Sequence, residues 1–173
     1  QKGMDINRGT VVGTVLNNLA LEKRLALDGR RLVRTPVGDK YICDLMFREG
    51  YNVGGEQSGH YIVYPAATTG DGIMTAMFFA KSLYKNGKLD APEKLDLVPQ
   101  KAIAEYADPS IMFDPKLREL TEKAEKSLGG DGRIIVRYSG TEPKIRVMVE
   151  ASDPEKPDEI LAKFKTFIRS RAE

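Results

Sequence analysis

Apolar residues follow two different periods along this chain, and the changes of period mark its elements. Thr10–Val15 is a β-branched, apolar run that predicts a buried strand. Asn17 or Asn18 then caps a predicted helix through Ala26, with Leu19, Leu21 and Leu25 as its apolar positions and Gly29 marking its end. Arg31–Arg34 reads as a short strand. Gly38-Asp39 opens a second helix in which Tyr41, Ile42, Leu45 and Met46 form one stripe, closed by Gly50. Tyr51–Val53 and Tyr61–Tyr64 read as short strands around a Gly-rich segment. Asp71 caps a predicted long helix over Gly72–Lys85, with Ile73, Met74, Met77, Phe78 and Ala80 inside. Strands alternating with helices in this way predict an α/β layer with parallel pairing.

The texture changes after Asn86-Gly87. Lys88–Pro99 is charged, carries two prolines and has no sustained period, so it reads as a linker. A strand over Gln100–Tyr106 follows, then a helix over Pro115–Leu128 started after Asp114, a β-hairpin over Arg133–Glu150 and a helix near Asp158–Arg171. In that last helix Ile160, Leu161, Phe164, Phe167 and Ile168 make the apolar face. This order predicts a small α+β domain, an antiparallel sheet with helices on one face. The predicted fold class is therefore α/β plus α+β. No internal repeat or low-complexity tract interrupts it.

The hairpin carries the sharpest chemical signal. RIIVRY and KIRVMVE flank a turn of Ser139-Gly140-Thr141-Glu142-Pro143. If Arg137 pairs with Arg146, the same register pairs Arg133 with Glu150 and Ile135 with Met148. Ile134, Val136, Tyr138, Ile145, Val147 and Val149 then share a core face. The cost is two guanidiniums opposed at the mouth of the turn, where like charges destabilise a sheet. An anion between them resolves the conflict, with loop amides and the hydroxyls of Ser139 and Thr141 completing a cradle, and arginine suits bidentate phosphate binding. The competing reading is two solvated arginines splayed apart on a surface hairpin.

Composition narrows the function classes. The 173 residues are 41% hydrophobic and 30% charged, which is globular rather than disordered. A net charge of +2 advertises neither nucleic acid nor membrane as a partner. No apolar run approaches the roughly 20 residues of a membrane span, no signal peptide is recognised, and a cytoplasmic location is the default expectation. RNA-binding sheets stack bases on exposed aromatics, whereas the hairpin's single aromatic, Tyr138, falls on the predicted core face. Cys43 is the one cysteine, which excludes an internal disulfide, and it reads as a small core side chain. One histidine and one cysteine cannot build the usual zinc site, so no metal is expected in this chain.

A second polar segment is Gly54–His60, GGEQSGH. In an extended backbone Glu56, Ser58 and His60 point the same way, with Gly55 and Gly59 allowing close approach of a ligand. A carboxylate beside a hydroxyl suits vicinal sugar hydroxyls; the plainer reading is a polar turn between edge strands. Thr68-Thr69-Gly70-Asp71-Gly72 lacks the lysine and spacing of a phosphate loop, so helix capping accounts for Asp71. Arg34–Lys40 is a polar bend at a strand-to-helix junction, the kind of place where open α/β sheets bind ligands.

In their order along the chain, TVVGTVLNN, TPVGDKY, GGEQSGH, TTGDG and GGDGRIIVRYSGTEPKIRVMVE resemble the C-terminal half of the α-D-phosphohexomutases, from about Gly9 to the C-terminus. The resemblance implies that residues 1–88 are the family's third domain, a mixed α/β layer, that 89–98 are a linker, and that 99–173 are the fourth domain. By motif, Glu56 and Ser58, with His60 beside them, resemble the sugar-hydroxyl ligands. Val37, Gly38 and Asp39 fall on the third-domain substrate loop. Arg137, Ser139, Gly140, Thr141 and Arg146 resemble the loop holding the non-reacting phosphate. Family members often have proline where this chain has Tyr138.

The Ser-His-Asn-Pro segment of the phosphorylated serine and the Asp-Gly-Asp loop for Mg²⁺ do not occur, so no catalytic residue is expected here. The resemblance is strongest to bacterial members acting on glucosamine phosphates. It implies a parent that interconverts glucosamine 6-phosphate and glucosamine 1-phosphate through a phosphoserine and a bisphosphorylated sugar. That parent would use Mg²⁺, carry further N-terminal domains, and have a homodimer as one open arrangement. Mannose or glucose phosphate as substrate, or a stand-alone sugar-phosphate-binding module, are the alternatives.

Overall fold

The computed structural model describes residues 6–64, 66–85, 88–89 and 94–171. The chain divides into two compact units, Gln1–Leu97 and Val98–Glu173.

In the first unit β1 (Thr10–Thr14) lies parallel to β2 (Arg31–Thr35) and to β3 (Val53–Gly55), and β4 (Tyr61–Val63) runs antiparallel to β3. The strand order is β2-β1-β3-β4, a mixed sheet with β1 inside it. Three helices join the strands: α1 (Leu19–Leu27), α2 (Asp39–Glu49) and α3 (Gly72–Leu83). Asn18 is the cap of α1, its side chain accepting from the Ala20 amide at 3.0 Å. Asn17 instead turns back to accept from the Thr14 amide at 2.6 Å.

The core is Val12, Ile42, Met46, Tyr51 and Ile62. Gly54 sits in β3 where a Cβ would lie 2.6 Å from both Ile42 Cγ2 and Met46 Sδ, so only glycine lets the strand pack this close to α2.

Three expectations need correction in this unit. The strand at Tyr51–Val53 starts two residues later, because Tyr51 is a buried core anchor preceding it. Tyr41 is half exposed and leaves the stripe formed by Ile42 and Met46. In α3, capped by Asp71 through the Met74 amide at 2.9 Å, Ile73, Met77 and Ala80 face outward, with Ile73 80% exposed. That helix is apolar around most of its circumference, so spacing does not say which side is inside.

It also ends at Leu83 rather than Lys85, since Tyr84 is extended and Tyr84–Lys85 (β5) pairs antiparallel with Lys88–Leu89 (β6). The first residues of the expected linker are thus part of a ribbon, and residues 90–93 of it lie outside the described residues.

The second unit is a three-stranded antiparallel sheet, order β7-β9-β8, of β7 (Gln100–Tyr106), β8 (Gly132–Tyr138) and β9 (Lys144–Ala151). Helices α4 (Pro115–Leu128) and α5 (Lys156–Arg169) pack on one face. Ile145, Val147 and Val149 of the central strand, with Ile134, meet Leu117, Ala124, Leu128, Ile160, Leu161, Phe164 and Ile168 from the helices. Phe164 is fully buried, a contribution of about 1.5–3 kcal/mol. Asp114 caps α4 through the Lys116 amide at 2.8 Å. Among the described residues no helix is long and apolar enough to cross a membrane.

Candidate functional site

The β8–β9 register pairs Arg133 with Glu150, Ile135 with Met148 and Arg137 with Arg146, as the alternation of the two strands predicts. At the far end of the hairpin, Arg133 makes an ion pair with Glu150, which is completely buried. At the turn end the two arginines face each other. Burial, and then the charge of Arg146, press the Arg137 guanidinium below the usual arginine range. The Arg137 side chain has no hydrogen-bond or ion-pair partner among the described residues, and Arg146 Nε is buried and without one.

The turn between them is anchored on both sides. Ser139 N donates to Lys144 O at 2.8 Å, and Lys144 N donates to Glu142 O at 2.7 Å. Ala107, just past β7, clamps it further: its amide donates to Pro143 O at 3.2 Å, and its carbonyl accepts from the Tyr138 hydroxyl at 3.0 Å. Tyr138 therefore serves the turn as well as the core side of the sheet. Ser139 is buried, with its Oγ 3.5 Å from Thr141 Oγ1. The amides of Gly140, Thr141 and Glu142 donate to no acceptor among the described residues. A Cβ built on Gly140 would meet nothing within 4 Å, so the turn is open above that residue. Two guanidiniums, two hydroxyls and three amides thus gather at one exposed turn, a donor set matched to a tetrahedral anion.

Sequence reasoning missed two participants. Glu142 Oε2 accepts from Arg146 Nη2 and its Oε1 from Lys144 Nζ, both at 2.9 Å. The lysine ammonium also lies 4.6 Å over the Tyr106 ring. The hydrogen bond from Lys144, then its charge and those of Arg146, hold the Glu142 carboxyl below the usual glutamate range, and Glu142 in turn raises Lys144. Glu142 and Lys144 were visible as charges beside the turn, but only the turn's backbone geometry brings them onto Arg146.

In the first unit the structure joins two of the segments singled out by sequence. Glu56 Oε1 accepts from the Gly38 amide at 2.9 Å, tying the β3–β4 turn to the bend Val37-Gly38-Asp39 that opens α2. Ser58 Oγ lies 3.4 Å from Glu56 Oε2 and 3.1 Å from His60 Nδ1. Glu56, Ser58 and His60 do come together, but through a turn and not through an extended backbone: Glu56 N donates to His60 O at 2.9 Å and Gly59 N to Glu56 O at 3.1 Å.

The glycines have structural reasons of their own. Gly59 adopts φ +96°, and a Cβ on Gly55 would lie 2.8 Å from the Tyr61 ring and 3.0 Å from His60 O. Asp39 Oδ1 accepts from the Lys40 amide at 2.8 Å in the first turn of α2. Ser58, Gly59 and His60 are exposed, so their polar atoms are accessible. Cys43 is half buried and burial pushes its thiol up, which suits packing and not nucleophilic attack. Among the described residues no three His, Cys, Asp or Glu side chains converge as a metal site would require.

The second unit thus carries a hairpin turn flanked by two opposed arginines, and the first carries a turn that brings Glu56, Ser58 and His60 together. Residues 1–100 match the description "Phosphoglucomutase/phosphomannomutase, alpha/beta/alpha domain III", and residues 85–166 match "Phosphoglucomutase/phosphomannomutase, C-terminal domain". The chain belongs to the phosphoglucomutase/phosphomannomutase family. It is 40% identical over 177 residues to the phosphoglucosamine mutase of Limosilactobacillus reuteri, spanning 100% of this chain and 39% of that protein. It is 40% identical over 165 residues to the Bacillus subtilis phosphoglucosamine mutase, 93% of this chain and 37% of that protein. The chain therefore spans about two-fifths of the curated relatives it matches.

Among solved structures, Aspergillus fumigatus N-acetylphosphoglucosamine mutase superposes with a TM-score of 0.75 at 19% identity, over 94% of this chain and 38% of that one. The same fungal enzyme in complex with GlcNAc-6P and magnesium gives 0.70 at 20% identity, over 95% of this chain and 39% of that one. These two likenesses establish a shared fold.

Proposed function

We propose that this chain supplies substrate recognition to a phosphoglucosamine mutase, which interconverts glucosamine 6-phosphate and glucosamine 1-phosphate. The observation that carries the reading is the opposed pair Arg137–Arg146 at a turn whose three successive amides donate to no acceptor among the described residues. Arg137, Arg146, Ser139, Gly140 and Thr141 hold the sugar's non-reacting phosphate. Glu56 and Ser58, with His60 beside them and the Val37–Asp39 bend bonded to Glu56, hold sugar hydroxyls.

The chemical step belongs to parts of the parent with no counterpart in these 173 residues, which contain neither a Ser-His-Asn-Pro segment nor an Asp-Gly-Asp loop. There a phosphoserine gives its phosphoryl group to the sugar's free hydroxyl. The resulting bisphosphorylated sugar returns its other phosphoryl group to the serine oxygen, leaving the isomeric monophosphate.

Titration of the chain with glucosamine 6-phosphate and with glucosamine 1-phosphate should show binding of both, each competed by inorganic phosphate. The same preparation, given glucosamine 6-phosphate and a bisphosphate primer, should form no glucosamine 1-phosphate, since phosphoryl transfer needs a nucleophile and charge neutralisation in place. Turnover by the chain alone, or failure of both sugar phosphates to bind, would refute the reading.

A further inference from the structure

Glu142 is a carboxylate inside a cluster of cations that the preceding reading assigns to phosphate. Its two oxygens accept from Arg146 Nη2 and Lys144 Nζ, and so occupy part of the donor set that a phosphate would use. Across the hairpin the Arg137 side chain has no hydrogen-bond or ion-pair partner among the described residues, and Arg146 keeps a buried Nε with none among them. The carboxylate therefore satisfies one side of the arginine pair and leaves the other side unmatched.

The Glu142 side chain is 42% exposed, so this is a surface pair that a competing anion can displace. The turn does not depend on the side chain for its shape. The Glu142 carbonyl accepts from Lys144 N, and the neighbouring Pro143 carbonyl accepts from Ala107 N. The carboxylate can leave Arg146 by side-chain rotation while the backbone stays anchored.

We propose that Glu142 is a tethered counter-anion of the hairpin turn: it neutralises Arg146 and Lys144 in the free protein, and a bound phosphate displaces it. The proposal rests on the phosphate reading of the turn. Two consequences follow from charge alone. Displacement subtracts the strength of the carboxylate pair from the affinity of any incoming anion. Once displaced, the carboxylate remains a nearby like charge that favours release. Glu142 then tunes how firmly the site holds its phosphate, and its removal tightens binding. A residue that merely shaped the turn or aimed Arg146 would do the opposite.

Inorganic phosphate titrated calorimetrically into the 173-residue chain, into Glu142→Gln, Glu142→Ala and Arg137→Ala separates these outcomes. Both Glu142 variants should bind phosphate about two- to fivefold more tightly than the parent, the range expected for a surface ion pair. Weaker or unchanged binding in both Glu142 variants, with phosphate still bound by the parent and lost in Arg137→Ala, overturns the counter-anion while leaving the phosphate site standing. Absence of phosphate binding in the parent and in all three variants overturns the phosphate reading itself.

Discussion

The two ends of one hairpin should respond in opposite ways to loss of an arginine. Arg133 and Arg137 are four residues apart on β8, yet Arg133 faces the buried carboxylate of Glu150 and Arg137 faces the guanidinium of Arg146. Arg133→Ala strips a fully buried carboxylate of this guanidinium, which costs about 3–5 kcal/mol. At about 4–8 °C per kcal/mol for a unit of this size, the melting temperature falls by roughly 12–40 °C. Replacing both partners by apolar residues, Arg133→Met with Glu150→Leu, should recover most of that loss.

Arg137→Ala works the other way. A cation pushed below its usual pKa by burial and by a like charge is one that the fold disfavours in its charged form. Its removal should leave stability unchanged or raise it by a few tenths to about 1 kcal/mol. Phosphate affinity, however, loses a charge-assisted hydrogen bond of about 1.5–3 kcal/mol, a weakening of roughly 10- to 100-fold. Thermal melts and phosphate titrations on the three variants and the parent give both readouts. Equal phosphate affinity in Arg137→Ala and the parent, or a large drop in its melting temperature, would refute this division of labour.

Two further outcomes follow from the geometry. Gly54→Ala places a methyl group 2.6 Å from Ile42 Cγ2 and 3.1 Å from the Val12 carbonyl oxygen, and should lower stability by about 1–3 kcal/mol in a thermal or denaturant melt. The Glu142 carboxyl, held down by Lys144 and Arg146, has a depressed folded pKa, so its ion pairs stabilise the turn above the ordinary glutamate value and are lost only as pH falls through the lower folded one. The charged groups facing it are Lys144 and Arg146, with Tyr106 under the lysine and Arg137 across the hairpin, none of a type that titrates in acid. Sulfate, which keeps its charge, should therefore bind the parent with an affinity that rises toward that of Glu142→Gln as pH drops below the ordinary glutamate value, with the two curves separate near neutrality. Parallel curves throughout would count against titration of Glu142 as the cause.

What the sequence revealed and what it hid divide by the kind of geometry involved. Strand register was legible because side chains alternate with period two and a one-residue slip turns every apolar residue outward. Ile134, Ile145, Val147 and Val149 could share a core face in one pairing, and that pairing also placed Arg133 on Glu150 and Arg137 on Arg146. The stripe of α5 was legible for the same reason at period 3.6.

The outward side of α3 was not, because Ile73, Met77 and Ala80 are as apolar as the residues facing in, and periodicity has nothing to contrast. Nor were the contacts made around turns. The bond from Gly38 N to Glu56 spans 18 positions, and the reach of Glu142 to Arg146 depends on how five residues bend.

This division bears on the site itself. Arg137 and Arg146 are opposed by the same register that buries the hairpin's aliphatic face, so sliding the strands to separate them would expose the core. The proposed anion site is thereby coupled to folding. Glu142 lies outside the paired strands, and its side chain carries none of the register. On the proposed reading, affinity for the anion is adjustable at Glu142 without disturbing the sheet that holds the two arginines together.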